Sequence, residues 1–344
     1  MKLSTSLPLA TLFFKHWHVD DTEVGIVLAK AEFARGDAGA FGVLPRPPEL
    51  EMADVFEGDP AITPLLAEQD LAPGKLATDL TVKAIARAPG GEARRDWAVG
   101  VEVEGRGSHG FHVRGPSRWS KPSLRRWQLG KPEPVREVPI TYALAYGGLL
   151  PEEGETPARS HDFNPAGTGF ADKAYLDLKS GFDAPQIGEL AEFMAADPLA
   201  GMAVRGFGPI AKAWLPRRGH AGTFDDLWKR ERHPRMPADY DLAFWNAAPG
   251  PLQFSPHLTG NEMIRLHGVS HEAAPVEVPL PAVGLVLEAE GDDSVNVPMH
   301  LDTVQIDIAK EDPATHRVLL TWRALLPNPA GFTHGTLLPT DLGD

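Results

Sequence analysis

The chain contains no cysteine. Disulfides, thiolate metal sites and a cysteine nucleophile are excluded at once, and a reducing compartment fits. No apolar run approaches the ~18 residues that a membrane helix needs, so the default location is the cytoplasm, with no membrane partner. The opening Met1–Phe14 is interrupted by Ser4, Thr5, Ser6 and Pro8 and lacks a clear small-residue cleavage site. It reads as mature protein rather than a signal peptide. Long intervals free of both glycine and proline are also missing. The 34 glycines and 33 prolines are spread throughout, and the longest interval without either is Leu9–Val24, 16 residues. Proline costs a helix interior about 3 kcal/mol and glycine about 1 kcal/mol, so long helices are excluded. There is no G-x-S-x-G elbow, no P-loop and no H-E-x-x-H. No cofactor and no metal is expected.

What is present is a chain of 344 residues, 42% hydrophobic and 23% charged, with a net charge of −14. That composition belongs to a globular protein. Strand-like segments cluster at both ends. Val24–Phe33 and Asp79–Ala86 are apolar and partly alternating, and Trp97–Glu104 with Gly110–Val113 predicts a hairpin. Val283–Ala289, His300–Ile308 and Val318–Ala324 repeat the pattern near the C-terminus. In His300–Ile308 the apolar Val304, Ile306 and Ile308 alternate with Gln305 and Asp307, as on a half-buried strand. The fold class is therefore mainly β: antiparallel, sandwich-like sheets formed by N- and C-terminal strands. The boundaries that composition suggests are 1–115 (β-rich), 116–281 (Gly/Pro-rich loops with short helices) and 282–344 (C-terminal strands).

The middle segment concentrates aromatic and basic residues. Residues 205–235 hold eight Lys/Arg against three Asp/Glu, and Arg114–Arg136 holds seven against one. Trp119, Trp127, Trp214 and Trp228, half of the eight tryptophans, fall in these two islands. Tryptophan and arginine dominate the energetic centres of protein interfaces. The expected docking surface is Phe207, Trp214, Arg217, Arg218, Phe224, Trp228 and Arg230, with Trp119, Arg125, Arg126 and Trp127 as a second contact. Charge reversal at Arg217 and Arg218 should then abolish binding without changing the melting temperature. Burial of the indoles and pairing of each arginine with the surplus carboxylates is the competing structural reading. A pI near 5.4 argues against nucleic acid as the partner. Two short helices are predicted. One lies over Glu189–Asp197; the other spans Thr223–His233, with Thr223 as N-cap and Leu227 facing inward.

Other side chains carry weaker chemistry. His16 and His18 share a strand face but lack a third ligand, and the spacing of His220 and His233 fits no zinc arrangement. Asp225, Asp226, Asp239 and Asp241 offer paired carboxylates, though helix capping or pairing with Arg217, Arg218 or Arg235 explains them more simply. Gly206-Phe207-Gly208-Pro209 reads as a tight turn aiming Phe207, since Pro209 removes a backbone donor that a phosphate cradle needs.

Several pieces together resemble one family. They are PGKLATDLTVKAIARAPGG (Pro73–Gly91), PITYALAYGG (Pro139–Gly148), NPAGTGF (Asn164–Phe170), the long segment Gly206–Pro249, and LDTVQIDI with VLLTWRA (Leu301–Ala324). The chain is similar to a domain-of-unknown-function family of type VI secretion accessory proteins, encoded beside PAAR-repeat and VgrG spike proteins. The resemblance implies a non-enzymatic adaptor or chaperone that binds a PAAR-repeat protein or toxic effector and helps load it onto the VgrG spike. Two alternatives remain open: a hydrolase using Asp225 or Asp241 with His220, and a structural component of the secretion apparatus.

Overall fold

Glu23–Arg35 is buried along almost its whole length instead of alternating, which marks a strand covered on both faces. It is the second strand from one edge of the largest sheet in a computed structural model of the chain, which describes residues 1–340 except 19, 38, 124–125, 153–156 and 196. Its neighbours are Ala10–Trp17 on one side and Arg317–Pro327 on the other, the latter antiparallel over eleven positions from Arg317↔Ala34 to Pro327↔Val24. His300–Asp307 continues the sheet, then Thr78–Lys83 in parallel, then Gln253–Phe254. A five-stranded antiparallel sheet runs Ile187–Gly188, Gly107–Arg114, Asp96–Val103, Met263–His267, Val276–Pro279. A third sheet joins the two ends of the chain: Lys2–Thr5 lies parallel to Phe332–Thr340, followed by Gly284–Gly291 and Ser294–Pro298.

One face of the largest sheet carries Val27, Ala29, Ala31, Leu320, Trp322 and Val304. These pack in one hydrophobic cluster with Val99, Val101 and Ile264 of the second sheet and Leu287 and Leu337 of the third. The mainly β expectation holds, and the hairpin falls at Asp96–Val103 with Gly107–Arg114. The described residues contain three α-helices, each six residues long. Leu190–Ala195 lies within the predicted Glu189–Asp197; Lys173–Leu178 was not anticipated. Short strands of the middle segment were missed as well, among them Arg118–Ser123, Glu137–Pro139 and Gly181–Asp183. Each is too short for its alternation to stand out among glycines and prolines.

The opposite face of the largest sheet is polar and still buried. Lys30 pairs with Asp70 at 2.8 Å, and Arg323 reaches Asp302 at 2.5 Å and the Asp70 carbonyl at 3.2 Å. Through Asp70, whose carboxylate also accepts from the Glu51 backbone N–H, the chain leading to Thr78–Lys83 is tied down over this face. Buried ions need partners of opposite charge, and each ion here has one.

Candidate functional site

The long segment 206–249 enters this polar face first. Glu68, 7% exposed, receives Lys75 at 2.9 Å and Arg217, with Lys212 at 3.9 Å. Lys75 also pairs with Asp79 at 2.8 Å, and Lys212 with Asp54 at 2.7 Å. Burial alone would push the Glu68 carboxyl up, but Lys75, Arg217 and Lys212 outweigh it and hold it below its usual range. Burial pushes Lys75 down, and Asp79 and Glu68 reverse that and raise it. For Lys212 burial dominates, and its ammonium is lowered.

The remaining donors of Arg217 go to the carbonyls of Phe244 (2.9 Å) and Ile210 (2.6 Å). Arg217 is thus an internal strut, and its assignment to the docking surface is corrected. Phe207 and Trp214 are each 1% exposed and are corrected likewise. Phe207 packs on Phe111 with ring centroids 4.6 Å apart, and Trp214 meets Tyr142 edge-on at 5.8 Å. Both belong to the main hydrophobic cluster. The Gly206–Pro209 turn does aim Phe207 inward, and the Phe207 carbonyl accepts from the Val82 N–H at 2.9 Å.

The distinctive sequence pieces clasp one another. The fully buried Asn164 donates its side-chain amide to the carbonyls of Tyr142 (2.9 Å) and Tyr146 (3.0 Å). Gly147 sits at φ 147°, and a Cβ there would run into the Asn164 carbonyl. Only glycine tolerates both conditions, which explains the pairing of NPAGTGF with YALAYGG. Asn246 accepts from the Leu76 N–H and donates to Ala77 and Asp79, and the Ala247 N–H reaches Asp79 at 2.7 Å. That clasp joins WNAAP to KLATD. The tyrosine hydroxyl of Tyr142 closes the set on Gly208 at 3.1 Å.

The second island is also partly internal. Trp119 is 6% exposed and stacks on Phe182 at 6.4 Å, forming a small separate core with Ala171 and Leu176. Its assignment as a contact is corrected. Trp127 is half-buried, edge-on to Phe182 at 5.4 Å, and Arg126 is exposed beside it. Arg125 lies outside the described residues.

What faces solvent is a lobe spanning 218–236. Helix Asp226–Glu231 is capped by Asp225, which accepts from the Trp228 N–H at 2.8 Å. Thr223, the expected cap, is occupied by Asp239 at 2.7 Å. Leu227 does not face inward: it is 51% exposed and Phe224 is 53% exposed. Trp228, half-buried, packs edge-on against Phe224 at 4.8 Å and donates its indole N–H to the Arg235 carbonyl. None of these three belongs to either hydrophobic cluster. The lobe meets the main sheet through Arg232–Asp21 (2.8 Å) and Arg235, whose guanidinium lies 5.3 Å from the Trp17 ring. Trp17, not singled out from sequence, is 41% exposed there. Its place next to His16 and His18 at a strand end was the only available signal.

The charge of the first island is largely internal bookkeeping. Arg218 pairs with Asp162 at 2.9 Å, Lys229 with Asp226 at 3.4 Å and Arg205 with Glu189 at 3.4 Å. Among the described residues, Arg230 alone of the eight has no carboxylate within ion-pair distance. His220 does meet Asp241, Nδ1 to Oδ2 at 3.1 Å, with both side chains open to solvent. Asp225 is committed to the cap. No cluster of three or more His, Asp or Glu arranged for a metal ion occurs among the described residues, and no helix among them is long and apolar enough to cross a membrane.

Fold and surface define a mainly β scaffold whose signature motifs are internal clasps and whose 218–236 lobe exposes Phe224 and Leu227. A family model described as an uncharacterized protein conserved in bacteria (DUF2169) matches residues 20–323, and the chain belongs to that family. No curated protein and no solved structure matched the chain.

Proposed function

We propose that the protein is a non-enzymatic cytoplasmic adaptor or chaperone. It binds a PAAR-repeat protein or toxic effector and helps load it onto the VgrG spike of a type VI secretion system. The secretion assignment rests on the family resemblance carried by the motifs quoted above. The binding assignment rests on one observation, the exposure of Phe224 and Leu227 on the lobe beside Trp228, Arg230 and Trp17. Apolar side chains gathered in one place and rimmed by charge are what binding sites present.

The expected partner contact differs from the one drawn from sequence. Apolar anchoring by Phe224 and Leu227 replaces steering by a basic island, because most of the island's cations are paired within the chain. The test is a pull-down of the PAAR-repeat or effector protein encoded beside this one. Phe224→Asp with Leu227→Asp should abolish capture while the melting temperature stays within about a degree, as surface substitutions away from the core do. Capture at the wild-type level would remove the lobe from consideration.

The hydrolase alternative keeps one favourable contact, His220 to Asp241. Neither side chain lines the cavities of about 350, 380 and 730 Å³ found among the described residues, so the pair reads better as a surface tie. His220→Ala belongs in the same pull-down and should capture the partner as the wild type does.

A further inference from the structure

Ala10–Trp17, eight residues long, is one edge of the largest sheet. Its hairpin with Glu23–Arg35 closes where the His18 N–H donates to the Thr22 carbonyl at 2.8 Å. Hydrogen-bonded pairs alternate along an antiparallel ladder. Counted from that bond, the bonded pairs are His16↔Val24, Phe14↔Ile26, Leu12↔Leu28 and Ala10↔Lys30. Thr11, Phe13, Lys15 and Trp17 therefore turn their backbone groups away from the sheet. The Trp17 carbonyl accepts from the His16 ring at 2.7 Å. The N–H groups of Thr11, Phe13, Lys15 and Trp17, and the carbonyls of Thr11, Phe13 and Lys15, have no hydrogen-bond partner among the described residues.

Folded proteins blunt their sheet edges with short strands, proline, bulges or free lysines, because an unpaired backbone row templates another strand. The other edges of the three large sheets follow that rule. Ile187–Gly188 and Gln253–Phe254 have two residues each, Phe41–Val43 has three and Lys2–Thr5 has four. Val276–Pro279 and Ser294–Pro298 both end in proline. Ala10–Trp17 lacks these guards. It contains no proline and runs against its neighbour without a shift of register. Its lysine, Lys15, is turned back onto Glu23 of the same hairpin at 2.9 Å. Leu12, Phe13 and Phe14 stay only half-buried along it.

We propose that this edge is a self-association surface, on which a second copy of the chain pairs through its own Ala10–Trp17. A row of unpaired backbone donors and acceptors is complementary to another extended backbone. The occupant is a second copy because the strand matches itself. Run antiparallel about a two-fold axis at Phe13 or Phe14, it brings outward groups onto outward groups and sets one aromatic ring against its equivalent. Lys15 then faces Thr11 or Phe13 of the other copy, and Leu12 faces Phe14 or His16. Aromatic pairs stabilise such a match and like charges directly opposite would disrupt it; neither register opposes lysine to lysine. The surface is independent of the adaptor reading, since it uses the backbone edge of Ala10–Trp17 and not Phe224 or Leu227 of the lobe.

Sedimentation equilibrium of the full chain, from low to high micromolar concentration, tests it. A monomer–dimer equilibrium is expected, with the amides of residues 10–17 gaining protection from hydrogen exchange as the dimer fills. Thr11→Pro and Lys15→Pro each remove an outward N–H and none of the hairpin's own bonds, and an edge strand tolerates proline at such positions. Each substitution enters the symmetric contact twice, so each should weaken dimerisation about tenfold or more. Phe224→Asp with Leu227→Asp should dimerise as the wild type does. A chain that stays monomeric throughout the range overturns the proposal, and is the result to expect if the edge takes a strand from a different protein. Wild-type dimerisation in both proline variants overturns it too, as does a dimer whose 10–17 amides exchange as in the monomer. The exchange measurement needs no substitution, so it decides even where a proline variant fails to fold.

Discussion

Arg217 and Arg218 are adjacent in the chain and opposite in environment. Arg217 is 2% exposed and ends on Glu68 and two carbonyls, whereas Arg218 is exposed and meets Asp162 at the surface. Breaking a buried pair from one side strands the other charge and costs about 3–5 kcal/mol; an exposed pair is worth about 0–1 kcal/mol. Urea unfolding should therefore show Arg217→Ala destabilised by several kcal/mol and Arg218→Ala nearly unchanged. Equal effects would contradict the strut role. Reversal of both charges, harmless if both were surface residues, becomes a folding defect. Nothing in the dipeptide distinguishes the two, since the difference is made by Glu68, about 150 positions away in the sequence. The same limit applies to Trp214 and Trp119. Composition marks them as interface-prone, but an indole that fills a core looks identical in sequence.

At the scale of elements, helix Asp226–Glu231 has six residues, well below the ~12–15 at which isolated helices become even marginal. It persists through its ties: Asp225 on the Trp228 N–H, the Trp228 indole on the Arg235 carbonyl, and Arg232 on the Met236 carbonyl at 2.8 Å. Asp225→Ala should cost about 1 kcal/mol of local helix stability. Trypsin cleavage at Lys229 and Arg230 should then accelerate while the global unfolding midpoint barely moves. A lowered midpoint with unchanged cleavage would mean that the lobe is part of the core after all. The existence of this helix was legible from a capping pattern read at Thr223 and Asp226, although the cap itself falls on Asp225. Its face was not, because inward orientation of Leu227 assumed a core beneath it, and the lobe has none. The terminal strands were legible for the opposite reason. Stretches such as Glu23–Arg35 and Arg317–Pro327 are long and mostly apolar, which places them in a sheet, but the burial of Lys30 and Arg323 within them follows only from Asp70 and Asp302.

At the scale of the whole molecule, three sheets share one hydrophobic cluster, and the polar face of the largest is sealed by ion pairs. The pieces that make the sequence recognisable meet across long separations: Asn164 with Gly147, Asn246 with Asp79, Arg217 with Glu68. They specify the scaffold. The proposed binding surface is elsewhere, on Phe224 and Leu227 of the lobe, which lie outside both hydrophobic clusters. Hydrogen–deuterium exchange on the protein alone and with the partner that the proposed function assigns to it measures that division most directly. Protection gained on binding should fall on Trp17 and residues 223–235, with the segments holding Trp119, Phe207 and Trp214 unchanged. Protection confined to other surfaces, with 223–235 exchanging as in the free protein, would contradict the account.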